Sequence, residues 1–354
     1  MLQAKIQCEK LTHCHPKLKH TLFSSLGDLL ESVKLYNDSL DCYQKALKLH
    51  QSNASTFVGQ GVALGNLKRH EEALESCQKA IDLDPEYVNA WINRGVSLYK
   101  LGRYEEALKN FQKALDLAPE SVNAWGLRGA VLGNLERSEE ALESCQKAID
   151  LAPESVDAWG FRGAVLVNLE RYEEALESYK KALDIDSKCV LTWVNRGNTL
   201  RNLGRYEEAL TAGDRAFKID SKNDQALNSQ ALTLSLLKNY EKAITAIDET
   251  INLEPKEVLY RANRGIILAR AGRYTEALAE CEQAIKQDPK DESGYYGKAC
   301  CYALQGEMGQ AIDNLQKAID IAPRLSRREA KHNPDFDSIR DDERFRALMQ
   351  LASF

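Results

Sequence analysis

The residue types that do chemistry are few in this chain and poorly spaced for it. Six histidines, His13, His15, His20, His50, His70 and His332, are spread over 354 residues. None lies in a His-Glu-x-x-His arrangement, which would put two ring nitrogens on one helix face for a zinc ion. Cys8, His13, Cys14 and His15 are all ligand types, but their spacing matches no structural zinc site. There is no Gly-x4-Gly-Lys-Ser/Thr loop to cradle a phosphate. Gly59-Gln60-Gly61-Val62-Ala63-Leu64-Gly65 imitates a dinucleotide fingerprint, yet its last interval is one residue too long and no strand precedes it. The expectation is therefore no catalytic residue, no metal and no cofactor. Arginine recurs at Arg94, Arg128, Arg162, Arg196 and Arg264. Such a column either lays its stems over apolar neighbours and reaches a nearby acid, or offers a basic ladder to an acidic ligand or nucleic acid.

Those arginines belong to a longer pattern. Tryptophan occurs at Trp91, Trp125, Trp159 and Trp193, a period of 34, and nowhere else. With one unit numbered 1 to 34 from Val88, the frame starts at His20, Ala54, Val88, Val122, Val156, Val190, Asp224, Val258 and Glu292. Position 8 is Gly27, Gly61, Gly95, Gly129, Gly163, Gly197, Ala231, Gly265 and Ala299; position 20 is alanine from Ala73 to Ala311. Large residues at positions 4, 11, 17 and 24, such as Trp91, Leu98, Tyr104 and Phe111, supply the bulk that small residues at 8, 20 and 27 leave room for. Proline at position 32, as in Pro85, Pro119 and Pro153, ends the second helix of each unit. A fixed period of this length is the mark of stacked helical repeats.

The charge balance fits an array that keeps its surface in water. Charged residues make up 28% of the chain and the net charge is -6, which argues against a general nucleic-acid binder. No apolar run approaches the roughly 20 residues of a membrane span. Met1 to Ile6 leads into charge within ten residues, which does not read as a secretory signal. Cys77, Cys145 and Cys281 all fall at position 24, where other units have Phe111 or Tyr179, so they read as core filler and suit a reducing, cytoplasmic setting.

These columns resemble the tetratricopeptide repeat over residues 20–325. The recurrent Asn93-Arg94-Gly95, Asn195-Arg196-Gly197 and Asn263-Arg264-Gly265 look like its bacterial branch, and Asn333 to Arg340 followed by Arg344-Phe345 resembles the cap found after many bacterial arrays. The resemblance implies an all-α, right-handed superhelical solenoid of antiparallel helix pairs. It divides the chain into an N-terminal arm over 1–19, nine repeats over 20–325 and a capping helical region over 326–354. The departures from the family pattern are Gln51, Ser187 and Ser221 in place of proline and Gly213 in place of an aromatic.

The family's first helices line a concave groove through positions 2, 5, 6, 9, 12 and 13. By that resemblance the groove residues here are Asn89, Ile92, Asn93, Val96, Tyr99, Asn123, Leu127, Asn134, Phe161, Val167, Asn168, Val194, Asn195 and Asn198. The stripe is apolar and small, edged by amides, as befits a site for an extended segment or an amphipathic helix of a partner. Phe161 is expected to project into this channel near Leu127 and Val194. The Lys/Asn/Arg triplet that clamps a free C-terminal carboxylate in some arrays is incomplete here, and the asparagine at position 6 is interrupted at Leu127, Phe161, Ser229 and Gly297. The function expected is a noncatalytic scaffold for a protein or peptide partner; the alternative is an architectural, self-associating array.

Overall fold

The computed structural model describes residues 15–350. Cys8, His13 and Cys14, and most of the expected N-terminal arm, lie outside the described residues. Among the described residues every regular element is helical. The chain divides into two compact units, Met1–Arg171 and Tyr172–Phe354. The first holds α1 (Pro16–Ser32), α2 (Tyr36–Leu49), α3 (Ala54–Asn66), α4 (His70–Leu83), α5 (Val88–Lys100), α6 (Tyr104–Leu117), α7 (Val122–Asn134), α8 (Ser138–Leu151) and α9 (Val156–Asn168). The second holds α10 (Tyr172–Ile185), α11 (Val190–Asn202), α12 (Tyr206–Ile219), α13 (Asp224–Leu236), α14 (Tyr240–Leu253), α15 (Val258–Arg270), α16 (Tyr274–Gln287), α17 (Ser293–Gln305) and α18 (Met308–Ile321). It ends with α19 (Pro323–His332), a 3-10 turn (Pro334–Ile339) and α20 (Glu343–Gln350). Within each unit successive helices pack as an antiparallel stack, so each repeat has a helix A over positions 1–13 and a helix B over positions 17–30. Pro16 opens α1 at the position where its missing N–H loses nothing, four residues ahead of the repeat frame.

The turn from helix A to helix B is set by position 15. Lys34, Lys68, Gly102, Glu136, Glu170, Gly204, Lys238, Gly272 and Gly306 all have positive φ, between 57° and 85°. After α5 the Arg103 N–H donates to the Leu98 carbonyl at 2.9 Å and the Gly102 N–H to the Tyr99 carbonyl at 3.0 Å, which closes the helix with its last carbonyls paired. Only glycine adopts that backbone without strain, yet five of these positions carry lysine or glutamate. Helix B then starts without a side-chain cap at Arg103. Instead Arg103 grips Glu106 in the first turn with two hydrogen bonds of 2.7 Å, and Arg69, Arg137, Arg205 and Arg273 repeat the grip on Glu72, Glu140, Glu208 and Glu276.

The invariant columns meet inside each repeat. A Cβ on Gly129 would come within 2.7 Å of Cys145 Sγ and 3.0 Å of the Ala141 carbonyl oxygen, and one on Gly95 within 2.7 Å of the Phe111 ring. Position 8 is therefore small because the tip of residue 24 rests on it, as well as because helix B passes close at position 20. Cys77, Cys145 and Cys281 are fully buried free thiols in that role. Each tryptophan ties the turn before it to helix A. The indole N–H of Trp91, Trp125, Trp159 and Trp193 donates to the carbonyls of Pro85, Pro119, Pro153 and Ser187 at 2.8 to 2.9 Å. Ser187 keeps the bond because the acceptor is backbone. Where Gly213 replaces the large residue, a Cβ on Gly197 meets nothing closer than 3.4 Å, so the helix A/helix B contact is looser there.

Candidate partner-binding surface

In the Met1–Arg171 unit the residues expected in the groove lie on helices α5, α7 and α9. Asn89 and Asn123 are exposed, Asn93, Val96, Tyr99, Leu127, Asn134, Phe161, Val167 and Asn168 are half-buried, and Ile92 is buried at 6% exposure. Asn93 Nδ2 donates back to the Asn89 carbonyl at 2.8 Å. Asn134 Nδ2 bridges two helices, donating to Tyr99 Oη at 3.0 Å and to the Ala130 carbonyl at 2.9 Å. Phe161 packs on the preceding helix A, where a Cβ on Gly126 would fall 2.0 Å from its Cδ2. A glycine at position 5 of α7 thus makes the seat for an aromatic at position 6 of α9. The ring packs against the Leu132, Cys145 and Val165 cluster and stays half-buried.

The position-7 arginines run along the seam between the helices. Arg94 Nη1 donates to Asn110 Oδ1 at 3.0 Å, and Arg128 Nη1 to Ser144 Oγ at 2.5 Å, each on the helix B of its own repeat. Arg128 and Arg196 also lie over the Trp125 and Trp193 rings at 5.6 Å, and Arg162 is half-buried. Arg264 pairs with Asp248 at 2.7 Å and Glu280 at 3.0 Å. Burial pulls the Arg128 and Arg196 guanidinium groups below their usual range, with Glu140 and Glu208 respectively pulling the other way.

In the Tyr172–Phe354 unit helix A carries arginine at Arg201, position 12, and Arg270, position 13. Val194 is buried at 4% exposure, while Asn195 and Asn198 are half-buried. Asn198 Oδ1 accepts from Ser229 Oγ at 2.8 Å and from Arg201 Nη1 at 2.9 Å. Asn263 Nδ2 reaches Asn228 Oδ1 at 2.8 Å. Arg270, at position 13, donates through Nη1 to Ser235 Oγ at 2.7 Å and through Nε and Nη2 to both carboxylate oxygens of Asp335, at 2.8 and 2.9 Å. Both partners of that ion pair are nearly shut off from water. Burial opposes the Arg270 charge, and Asp335 outweighs it and holds the guanidinium above its usual range.

Asp335 belongs to the chain's own C-terminal segment, which folds back across this face. Asn333 Nδ2 donates to Tyr296 Oη at 3.1 Å and contacts Cys300 Sγ at 3.4 Å, and Ser338 Oγ donates to the Ala303 carbonyl at 3.3 Å. The His332 ring meets Tyr172 edge-on at 5.5 Å. Phe336, Ile339, Phe345 and Leu348 close over Ala299, Cys300, Ile312 and Leu315 in one apolar cluster. Arg201, Ser229, Ser235 and Arg270 have no place among the groove residues read from the sequence. The signal available for Arg201 and Arg270 was arginine at positions 12 and 13, where the middle repeats carry Tyr99 and Lys100, Gly133 and Asn134, and Val167 and Asn168.

Among the described residues no group of three or more His, Cys, Asp or Glu is placed to hold a metal ion, and no helix is long and apolar enough to cross a membrane. Models described as tetratricopeptide repeat match residues 88–121, 122–155, 156–189, 190–223, 228–292 and 262–325, and one described as TPR repeat matches 66–102. No curated protein matches the chain. Among solved structures it is similar to the APC/C hetero-tetramer Cut9-Hcn1, at 16% identity and a TM-score of 0.56, over 87% of this chain and 74% of that one. A structure of MamA protein aligns over 48% of this chain and 92% of its own at 23% identity, with a TM-score of 0.39. The Cut9-Hcn1 likeness speaks to the fold alone. With repeat models along residues 66–223 and 228–325 and helix pairs packed as those repeats require, the chain belongs to the tetratricopeptide repeat family and is a protein–protein interaction scaffold.

Proposed function

We propose that the scaffold is noncatalytic and takes up an extended or helical segment of a partner protein along the helix A face. In the Met1–Arg171 unit the contact residues are Asn89, Asn93, Val96, Tyr99, Asn123, Leu127, Asn134, Phe161, Val167 and Asn168. The observation that carries this reading is the Phe161 ring seated on Gly126 while remaining only half-buried. An apolar side chain of the partner would rest on that ring, while the amides of Asn93 and Asn134 would meet its backbone. Counting α1 and α2 as a further pair of the same kind makes nine repeats, with 326–354 as the cap.

Photo-crosslinking tests the face directly. A benzoylphenylalanine at Asn93 or Asn123 should capture a partner segment, whereas the same probe at Glu139 or Glu143, on the outer side of helix B, should not. Capture from helix B alone sinks the groove. No capture from either face, together with a concentration-dependent oligomer in light scattering, would make the array architectural.

A further inference from the structure

The structure assigns a second docking site, in the Tyr172–Phe354 unit: Arg201 is the receptor for a carboxylate side chain on an acidic segment of a partner protein. Arg270 supplies the template. Its Nη1 is held by the Ser235 hydroxyl and its Nε and Nη2 present the fork to Asp335, a bidentate geometry specific to a planar carboxylate. Arg201 is also steadied by polar side chains, from its own α11 and from the following helix A, α13. Its Nη1 is held by Asn198 Oδ1 at 2.9 Å and lies 3.5 Å from Ser229 Oγ. Among the described residues it makes no ion pair with any Asp or Glu. Arg201 thus has one Nη held by a neutral polar side chain, as Arg270 has, and lacks the carboxylate.

The surroundings point to an anion from outside. Arg201 is half-buried, and burial, followed by the nearby charge of Arg270, brings its guanidinium down to about 10, with Glu329 and Tyr206 opposing. Two cations on one face repel, and an incoming carboxylate relieves that repulsion. The facing carboxylate is Glu329 on α19, which desolvation raises to about 7, with Arg328 and Arg201 opposing the rise and Glu292 adding to it. It acts on Arg201 through space without touching it. The chain's own tail shows the form in which this face accepts an acid: Asn333-Pro334-Asp335-Phe336, an aspartate at the start of a tight turn with an aromatic beside it. A partner segment carrying the same acid–aromatic pair would extend what the tail begins. This inference rests on the scaffold reading but not on the Phe161 surface.

The test uses the full chain and two synthetic probes, a fluorescent Gly-Asn-Pro-Asp-Phe-Gly peptide and its isostere with Asn for Asp, followed by fluorescence anisotropy. The aspartate peptide should bind wild type at least tenfold more tightly than the isostere, and should weaken as salt rises. Arg201→Gln should lose at least tenfold, Arg201→Lys should lose part of that because it keeps charge without the fork, and Glu329→Gln should tighten binding by removing a rival anion. Phe161→Ala should leave this isotherm unchanged, which separates failure here from failure of the first surface. Equal binding of the two peptides, equal binding by Arg201→Gln, or no saturable binding to wild type would each overturn the assignment. Competition by inorganic phosphate or RNA with no response to the peptide would also overturn it. Circular dichroism of Arg201→Gln and Arg201→Lys checks that the fold survives, and the lysine variant decides the matter if the glutamine variant is unstable.

Discussion

The same contact is made in both units with different chemistry. In the first, position 13 of α7 reaches position 12 of α5 as an amide meeting a phenol, Asn134 to Tyr99 at 3.0 Å. In the second, position 13 of α15 reaches position 12 of α13 as a guanidinium meeting a hydroxyl, Arg270 to Ser235 at 2.7 Å. The backbone geometry that brings these positions together follows from the stacking of small and large columns, which the two units share. The side chains on that geometry are free to differ because none of them carries the stack. One unit presents an amide-rich face with an aromatic seat, and the other a face with two arginines partly covered by the C-terminal segment. A repeat array can therefore keep one packing solution and hold two kinds of binding surface.

The sharpest way to break the comparison is to remove the covered pair. Asp335→Ala leaves Arg270 buried without its anion and should cost about 3–5 kcal/mol. Hydrogen exchange should then rise across Ser293–Gln350 while α7 stays protected; unchanged protection in the C-terminal segment would mean the pair is incidental to the cover.

A smaller effect is expected from the glycines of the first unit, and its sign should depend on position. Gly129→Leu drives bulk into Cys145 and the Ala141 carbonyl and should cost about 1–3 kcal/mol. A Cβ on Gly160, inside α9, meets nothing within 4 Å, so Gly160→Ala should gain about 0.5–1 kcal/mol from helix propensity. Denaturation midpoints of the two variants check this, and shifts of the same sign would refute the packing assigned to position 8.

The mildest probe leaves the fold intact and reads the thiols. Burial pushes Cys77 and Cys145 up to about 12, so both should resist alkylation at pH 8 in the native state and react only on unfolding. Cys189, part-exposed at the start of α11, should label ahead of them. Site-resolved mass spectrometry with rising pH follows this directly, and early labelling of Cys145 would show that the helix A/helix B seam opens.

Much of this protein could be read from the amino-acid order alone. A period of 34 with small residues at 8, 20 and 27 requires stacked helix pairs, because each pair can bury its apolar side only on its neighbours. Helix ends follow from the same frame: α5 begins at Val88 and α7 at Val122, where the frame starts. Position 15 was not legible, since lysine and glutamate stand where the backbone is left-handed and give no sign of it. Nor could the sequence choose between the two readings of the position-7 arginines, because a shift of one position along a helix turns a side chain by about 100°. In the structure the crossing of helix B sets Asn110 and Ser144 opposite Arg94 and Arg128. The tail is the clearest case. Asp335 meets Arg270 across 65 residues with no periodicity to announce it. Only the tertiary fold, by turning the chain back at Pro323, brings that acid to Arg270.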